Sequence, residues 1–308
     1  MPLILGGFLV WYSLSKVSIN TLLEYFKEAN YLWVSIGVFF GVLSHLSRAY
    51  RWKFLLQPMG FQPKLVNSGM AVFISYLVNL TIPRAGEISR ASVMTTYENI
   101  PFEKGFGTIV AERVADLTMM LLIICITLFV QFDFIYSLLV SKLSISKIVV
   151  LLGSLALGFL VFSYFIKKSK DGIGLKIKNF IVGLFEGVTS IFKMKNKWAF
   201  IFHTFFIWFM YVAMFWATIP AIENFNVPIG AILVGFIAGG FSMAATNGGI
   251  GLYPVAVAGA FTLFNIPEEP ANAFGWIMWT SQTAMIIILG GLSFLFLPIF
   301  NRYKSTNN

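Results

Sequence analysis

Long apolar runs separated by short polar segments give this chain its pattern. The clearest runs are Tyr31 to Leu46, Gly105 to Val130, Ser144 to Ile166, Trp198 to Ile219 and Ala271 to Pro298. They are continuous and not alternating, and most approach the ~20 residues that a helix needs to cross a hydrocarbon core of roughly 30 Å. Only helices and closed barrels satisfy their backbone in lipid, and continuous runs select helices. Other runs are short: Leu3 to Leu14, Val66 to Ile82 at about 25 Å of helix, and Leu252 to Phe264 at about 20 Å. Ile229 to Ala245 is a further apolar run, and Ile19 to Ala29 reads as an amphipathic segment suited to an interface, with Glu24, Lys27 and Glu28.

The polar segment Thr81 to Arg90 breaks this pattern most sharply, because it follows an apolar run directly. Arg84, Glu87 and Arg90 recur every third position, which puts them within one face of a helix starting near Pro83. Thr81 suits the N-cap and Pro83 the first turn, so the positive end of that helix is expected to aim at an anion.

Composition sharpens the class. The 308 residues are 58% hydrophobic and 11% charged, with a mean hydropathy of +0.81, against about 25% charged in ordinary soluble chains. The chain is therefore read as a polytopic membrane protein. Its net charge of +9 sits mostly in loops, where a cytoplasmic excess of Lys and Arg explains it without nucleic acid. The single cysteine, Cys125, lies inside an apolar run and excludes a disulfide framework within the chain. His45 and His203 are far apart and read as packing residues near span ends. The tryptophans Trp33, Trp52, Trp198, Trp216, Trp276 and Trp279 fall near expected interfaces. No basic n-region or small-residue cleavage site marks the first run as a secretory signal.

Charge also constrains topology. Arg48, Arg51, Trp52 and Lys53 read as a cytoplasmic collar after the span ending at Leu46. The lysine-rich loop 167–197 and the tail with Arg302 and Lys304 belong on the same side. Counting residues 66–82 as a full crossing delivers that loop to the outside. A re-entrant hairpin over 66–96 restores consistency, and 229–264 reads as a second hairpin entering from the opposite face. The expected fold is an all-α membrane protein of about six full spans and two re-entrant hairpins, with both termini cytoplasmic. Span, hairpin and span occur in each half, the outline of an inverted repeat.

Glu112, Arg113 and Asp116 share a side of the 105–130 helix and lie on the order of 10 to 17 Å into it. Charges at that depth cost several kcal/mol unless paired or hydrated. With Arg84, Glu87 and Arg90 they balance. Two readings stand together: a structural ion cluster, or a polar pocket holding a lipid headgroup with arginines on its phosphate. At the second hairpin Asn247, Gly248, Gly249 and Gly251 suit a tight turn, or an anion nest. No nucleophile, metal-ligand set or nucleotide loop accompanies the charges, so neither an enzyme nor a cofactor is expected.

Pro83-Arg84-Ala85-Gly86-Glu87 with Arg90, Pro101, the run Ala111-Glu112-Arg113-Val114-Ala115-Asp116, and Arg48-Ala49-Tyr50-Arg51-Trp52 together carry a resemblance. In these motifs the chain resembles the lysylphosphatidylglycerol synthase transmembrane, or flippase-like, family, which includes the membrane half of the multiple peptide resistance factor. The resemblance implies an inner-membrane protein that moves a phospholipid or other lipid between leaflets. Synthase activity is not implied, since the soluble aminoacyltransferase domain of two-part members has no room before Asn308. Members commonly carry Pro-Gly-Gly and then a glutamate in the second hairpin, and an arginine in the last span. Here Asn247 precedes the glycines, Pro254 stands near the expected acid, and Gln282 stands in the last span. The expected substrate is a lipid with an anionic headgroup, with envelope-lipid synthesis enzymes as possible partners. The alternatives are a carrier of a small soluble anion, which needs a sealed site, and a non-transporting scaffold.

Overall fold

The computed structural model describes residues 2–142 and 194–302 continuously, with isolated positions between 150 and 175. The expected span Ser144 to Ile166 and most of the basic loop 167–197 lie outside the described residues. The described secondary structure is helical. The chain divides into two compact units, Met1–Met120 with Asn196–Asn308, and Leu121–Lys195. In the second unit, helix α7 (Phe132–Lys142) stacks Phe132 on Tyr136 one turn later.

The first unit opens with α1 (Pro2–Lys16), too short to cross at 15 residues, and α2 (Ile19–Glu28). Ser18 caps α2, its hydroxyl accepting the Thr21 N–H at 3.1 Å. The amphipathic reading of α2 holds: Leu22, Tyr25 and Phe26 pack on the core while Glu24, Lys27 and Glu28 face outward. Asn30 caps the next helix, α3 (Tyr31–Leu56), through a 3.1 Å bond from the Leu32 N–H.

A hairpin follows, formed by α4 (Leu65–Thr81) and α5 (Ala85–Glu98), and then the long α6 (Phe102–Val130). The second half repeats the succession with α8 (Lys197–Thr218), a hairpin of α9 (Ile229–Ala245) and α10 (Leu252–Thr262), and the 34-residue α11 (Glu268–Asn301). Among the described residues four stretches are long and apolar enough to cross a membrane: Tyr31–Met59, Phe102–Val130, Lys197–Ala221 and Glu268–Asn301.

Two local expectations are corrected. Arg48, Arg51 and Trp52 form no solvated collar: α3 runs on to Leu56, and the three are 3%, 0% and 0% exposed. No breaker precedes Pro58, and carboxylates on α6 supply the compensation that lets the helix carry these arginines inward. Nor does Thr81 cap α5. It ends α4, its hydroxyl donating back to the Val78 carbonyl at 3.0 Å. The N-cap position is Arg84, at φ 61, and the helix start is satisfied from the facing arm, where Asn79 Oδ1 accepts the Gly86 N–H at 2.8 Å. A side chain at Gly86 would collide with the Ser75 carbonyl and with Asn79, so the two arms cross at backbone contact there.

The second turn is built differently. Gly248, Gly249 and Gly251 have φ of 60, 77 and 69°, which supports the tight-turn reading. Trp279 Nε1 on α11 donates to the Gly248 carbonyl at 2.7 Å and pins the turn. The hairpin tips meet, since a Cβ at Gly248 would fall 2.5 Å from Leu80 Cδ2. α11 supports both hairpins: Gly290 lies against Leu77 and the Phe73 carbonyl, and Gly275 against Pro254. A core of stacked and edge-on rings, Phe215, Phe225, Phe261 and Phe274, with centroids 5.0 to 6.0 Å apart, fixes α8 to the second hairpin and α11. On α1, Ser13 donates to Asn272 Oδ1 at 3.2 Å and accepts from Trp276 Nε1 at 3.0 Å.

Candidate functional site

The charged residues of three helices converge. From α3 come Arg48 and Arg51, from α5 Glu87 and Arg90, and from α6 Glu112, Arg113 and Asp116. Arg48 Nη1 meets Asp116 Oδ2 at 2.5 Å, and Arg51 Nη2 meets Asp116 Oδ1 at 3.1 Å, so one carboxylate holds two guanidiniums. Arg90 Nη1 donates to Glu112 Oε2 at 2.6 Å, and Arg51 Nε lies 3.7 Å from Glu112 Oε1. Arg51, Arg90, Glu112 and Asp116 are 0%, 2%, 1% and 8% exposed.

The network is supported beyond its charges. The Arg90 guanidinium sits 3.8 Å from the centroid of Trp52, whose Nε1 donates to Thr108 Oγ1 at 2.7 Å. A desolvated cation over an indole is worth about 2 kcal/mol. Arg51 Nη1 donates to Thr204 Oγ1 at 3.0 Å and Arg48 Nη2 reaches Tyr211 OH at 3.5 Å, which ties α8 to the cluster. His45 packs between Tyr76 of α4, Phe73 and Tyr211, with centroids 4.5, 5.6 and 6.1 Å away. His203 Nδ1 lies 2.8 Å from Ser47 Oγ. His45 is thus held by ring packing and His203 by a polar contact, in line with the packing role read from the sequence.

One edge of the network is accessible. The Arg113 side chain is 40% exposed and the Glu87 side chain 23%, and they pair at 2.9 Å. Arg113 Nη1 is also 3.6 Å from Asp116 Oδ2. Beside them lie the hairpin tips, where residues 81–84 and 243–245 are exposed. Arg84 is among these exposed residues and forms no ion pair among the described residues, so the structure does not bring it into the cluster. Five of the six primary candidates do converge: Glu87, Arg90, Glu112, Arg113 and Asp116. Formally, four arginines face three carboxylates, which leaves one positive charge.

Arg48, Arg51, Trp52, Tyr76, Thr204 and Tyr211 are the participants that sequence reasoning left outside the site. For the first two the signal was present: Arg48 and Arg51 are spaced i, i+3 on a run without a breaker, so they share a helix face. Tyr76, Thr204 and Tyr211 carry no such signal. Of the secondary candidates, Asn247, Gly248, Gly249 and Gly251 form the second tip, and Gln282 Nε2 lies 3.5 Å from Tyr253 OH.

These features define a polytopic helical membrane protein with a buried ion network beneath two meeting hairpin tips. The chain belongs to the family described as the lysylphosphatidylglycerol synthase TM region, whose model matches residues 1–291. It is similar to the glycosyltransferase AglD of Haloferax volcanii, at 39% identity over 77 residues, which is 25% of this chain and 12% of that protein. It is also similar to the UPF0104 membrane protein MJ1595 of Methanocaldococcus jannaschii, at 34% identity over 104 residues, or 33% of this chain and 29% of that one. The chain therefore spans well under two thirds of either relative. No solved structure matches it.

Proposed function

We propose that the protein moves a lipid with an anionic headgroup between the leaflets of the inner membrane, without catalysing a covalent reaction. The observation that carries this reading is the accessible, net-positive edge of an otherwise sealed ion network. Arg48, Arg51, Arg90, Glu112 and Asp116 form a structural clamp, because each is buried and ion-paired. Arg113 and Glu87 form the face that meets the headgroup. Arg113 is already shared between two carboxylates, so a phosphate can replace one of them without stripping a lone charge. The two hairpins enter from opposite faces and return, and their tips meet within the membrane, the arrangement in which broken helices present substrate sites. The acyl chains stay in lipid throughout, and both termini are cytoplasmic.

The family assignment and the similarity to a protein named as a glycosyltransferase both suit a role beside envelope-lipid synthesis, whose enzymes would supply or consume the moved lipid. The test is reconstitution of the full chain into liposomes with reporter lipids of several headgroups. Native protein should exchange an anionic reporter between leaflets faster than empty vesicles, and Arg113→Ala should slow that exchange about tenfold or more. Native protein that leaves every reporter at the empty-vesicle rate, with ion gradients imposed, would refute the reading for those lipids.

A further inference from the structure

Helices α4 and α11 touch at two levels and part between them. At one level Gly290 lies so close to Leu77 and the Phe73 carbonyl that a Cβ on it would stand 2.7 and 2.9 Å from them. At the other the buried amides of Asn67 and Asn301 bond each other twice, at 3.0 and 2.9 Å. The gap between these contacts is a groove of about 410 Å³, walled by Leu46 of α3, Val66, Gly69 and Phe73 of α4, and Leu292 and Phe296 of α11. Leu46, Val66, Leu292 and Phe296 are exposed, so the groove opens sideways between helices long enough to cross a membrane. Gly69 forms its floor, where a Cβ would meet nothing within 4 Å. Glycine weakens a helix interior, and here it leaves a space that no side chain fills.

The dimensions select the occupant. From Val66 to Phe73 the groove follows about 10 Å of α4, at a rise of 1.5 Å per residue. Its volume of about 410 Å³ over that length leaves a cross-section of about 40 Å², roughly half of what a helix about 10 Å across fills. A hydrocarbon chain is thin enough to enter; a helix is not. One end of the groove is charged. Lys64, just before α4, is exposed and holds its Nζ 5.5 Å from the centroid of Phe300, one turn beyond Phe296. Arg302 is exposed at the end of α11. No side chain caps α4, so its first N–H groups add to the positive character of this end. Glu98 also reaches it, with a carboxylate that already accepts from the Asn67 amide. Two exposed cations against one engaged carboxylate suit an anion at the mouth.

We propose that this groove seats a resident phospholipid, with one acyl chain between α4 and α11 and the phosphate at Lys64 and Arg302. It is a second lipid, separate from any that the protein moves, because none of the ion-paired residues of α5 and α6 lines the groove. The chain is gripped on three sides by α3, α4 and α11, which holds it more tightly than the lipid that merely surrounds the protein. It completes the packing that Gly69 leaves open, and so fixes the spacing between the first arm of the hairpin and α11. Recognition is by chain and phosphate and not by the rest of the headgroup.

Native mass spectrometry of the full chain, extracted in mild detergent and stripped by detergent exchange, counts bound lipids and subunits together. One phospholipid per chain should persist. Gly69→Phe, which fills the groove, and Val66→Trp, which narrows its mouth, should each cut that retention about tenfold or more. Val66 is exposed, so the second variant still reports if the first fails to fold. Arg113→Ala, in the ion network, should leave retention unchanged. Dioleoyl phosphatidylglycerol added back to stripped native protein should raise its unfolding temperature more than dioleoylglycerol, which has the chains without the phosphate, and Lys64→Ala should narrow that difference. Native protein that sheds all lipid, groove variants that retain it, or loss of the lipid on Arg113→Ala would each overturn the inference. So would a dimer that Gly69→Phe or Val66→Trp splits, since the groove would then belong to a second copy of the chain.

Discussion

Asp116 is the residue on which most of the buried charge depends. It accepts from Arg48 and Arg51 and lies near Arg113, so its removal strands Arg48, 3% exposed, and leaves the fully buried Arg51 only Thr204 and a Glu112 oxygen 3.7 Å away. Breaking a buried pair from one side costs about 3 to 5 kcal/mol. Asp116→Ala should therefore lower the unfolding temperature and the folded yield strongly in detergent, whereas Arg113→Ala, at the exposed edge, should change stability little. Equal losses in the two variants would contradict the division between clamp and face. The sequence showed Glu112, Arg113 and Asp116 plainly, since charges inside an apolar run stand out. It misassigned Arg48 and Arg51 because basic residues after an apolar run are ordinarily at an interface, and only the third dimension reveals the carboxylate that draws them in. Arg84 erred the other way: its spacing matched Glu87 and Arg90, but at φ 61 it sits in the turn and not on the helix.

Helices α4 and α5 decide the topology, and their existence was legible from one apolar run ending in a proline and a charged segment. The crossing at Gly86 was not, because it depends on the Ser75 carbonyl and Asn79 of the facing arm. Likewise the α3 boundary was set ten residues short, whereas the caps Ser18 and Asn30 lie where Ser and Asn ordinarily cap. A re-entrant first hairpin places the end of α5 on the cytoplasmic face. A Tyr97→Cys variant in intact cells should react with a membrane-impermeant maleimide only after the cytoplasmic side is opened. Labelling from outside would mean that α4 crosses fully.

For the molecule as a whole, the repeated order of long helix, hairpin and long helix was readable from run lengths and charge placement, although the contact between the two tips was not. Leu80 and Gly248 lie 168 positions apart, and nothing local announces that they touch. The residual positive charge of the network has an electrical consequence. A carrier whose empty site bears one formal positive charge becomes neutral when it holds a monoanionic lipid, so the membrane potential acts on the unloaded step and spares the loaded one. One charge moved through 100 mV is worth about 2.3 kcal/mol. In liposomes clamped by a potassium diffusion potential, leaflet exchange should speed up or slow down with the sign of the voltage when the empty carrier's return is limiting. A rate indifferent to voltage in both directions would place the site outside the field. Under the proposed translocation, a negative-inside cell becomes a power supply for the protein, one that draws the empty site toward the cytoplasm and makes the two leaflets unequal without any nucleotide being spent.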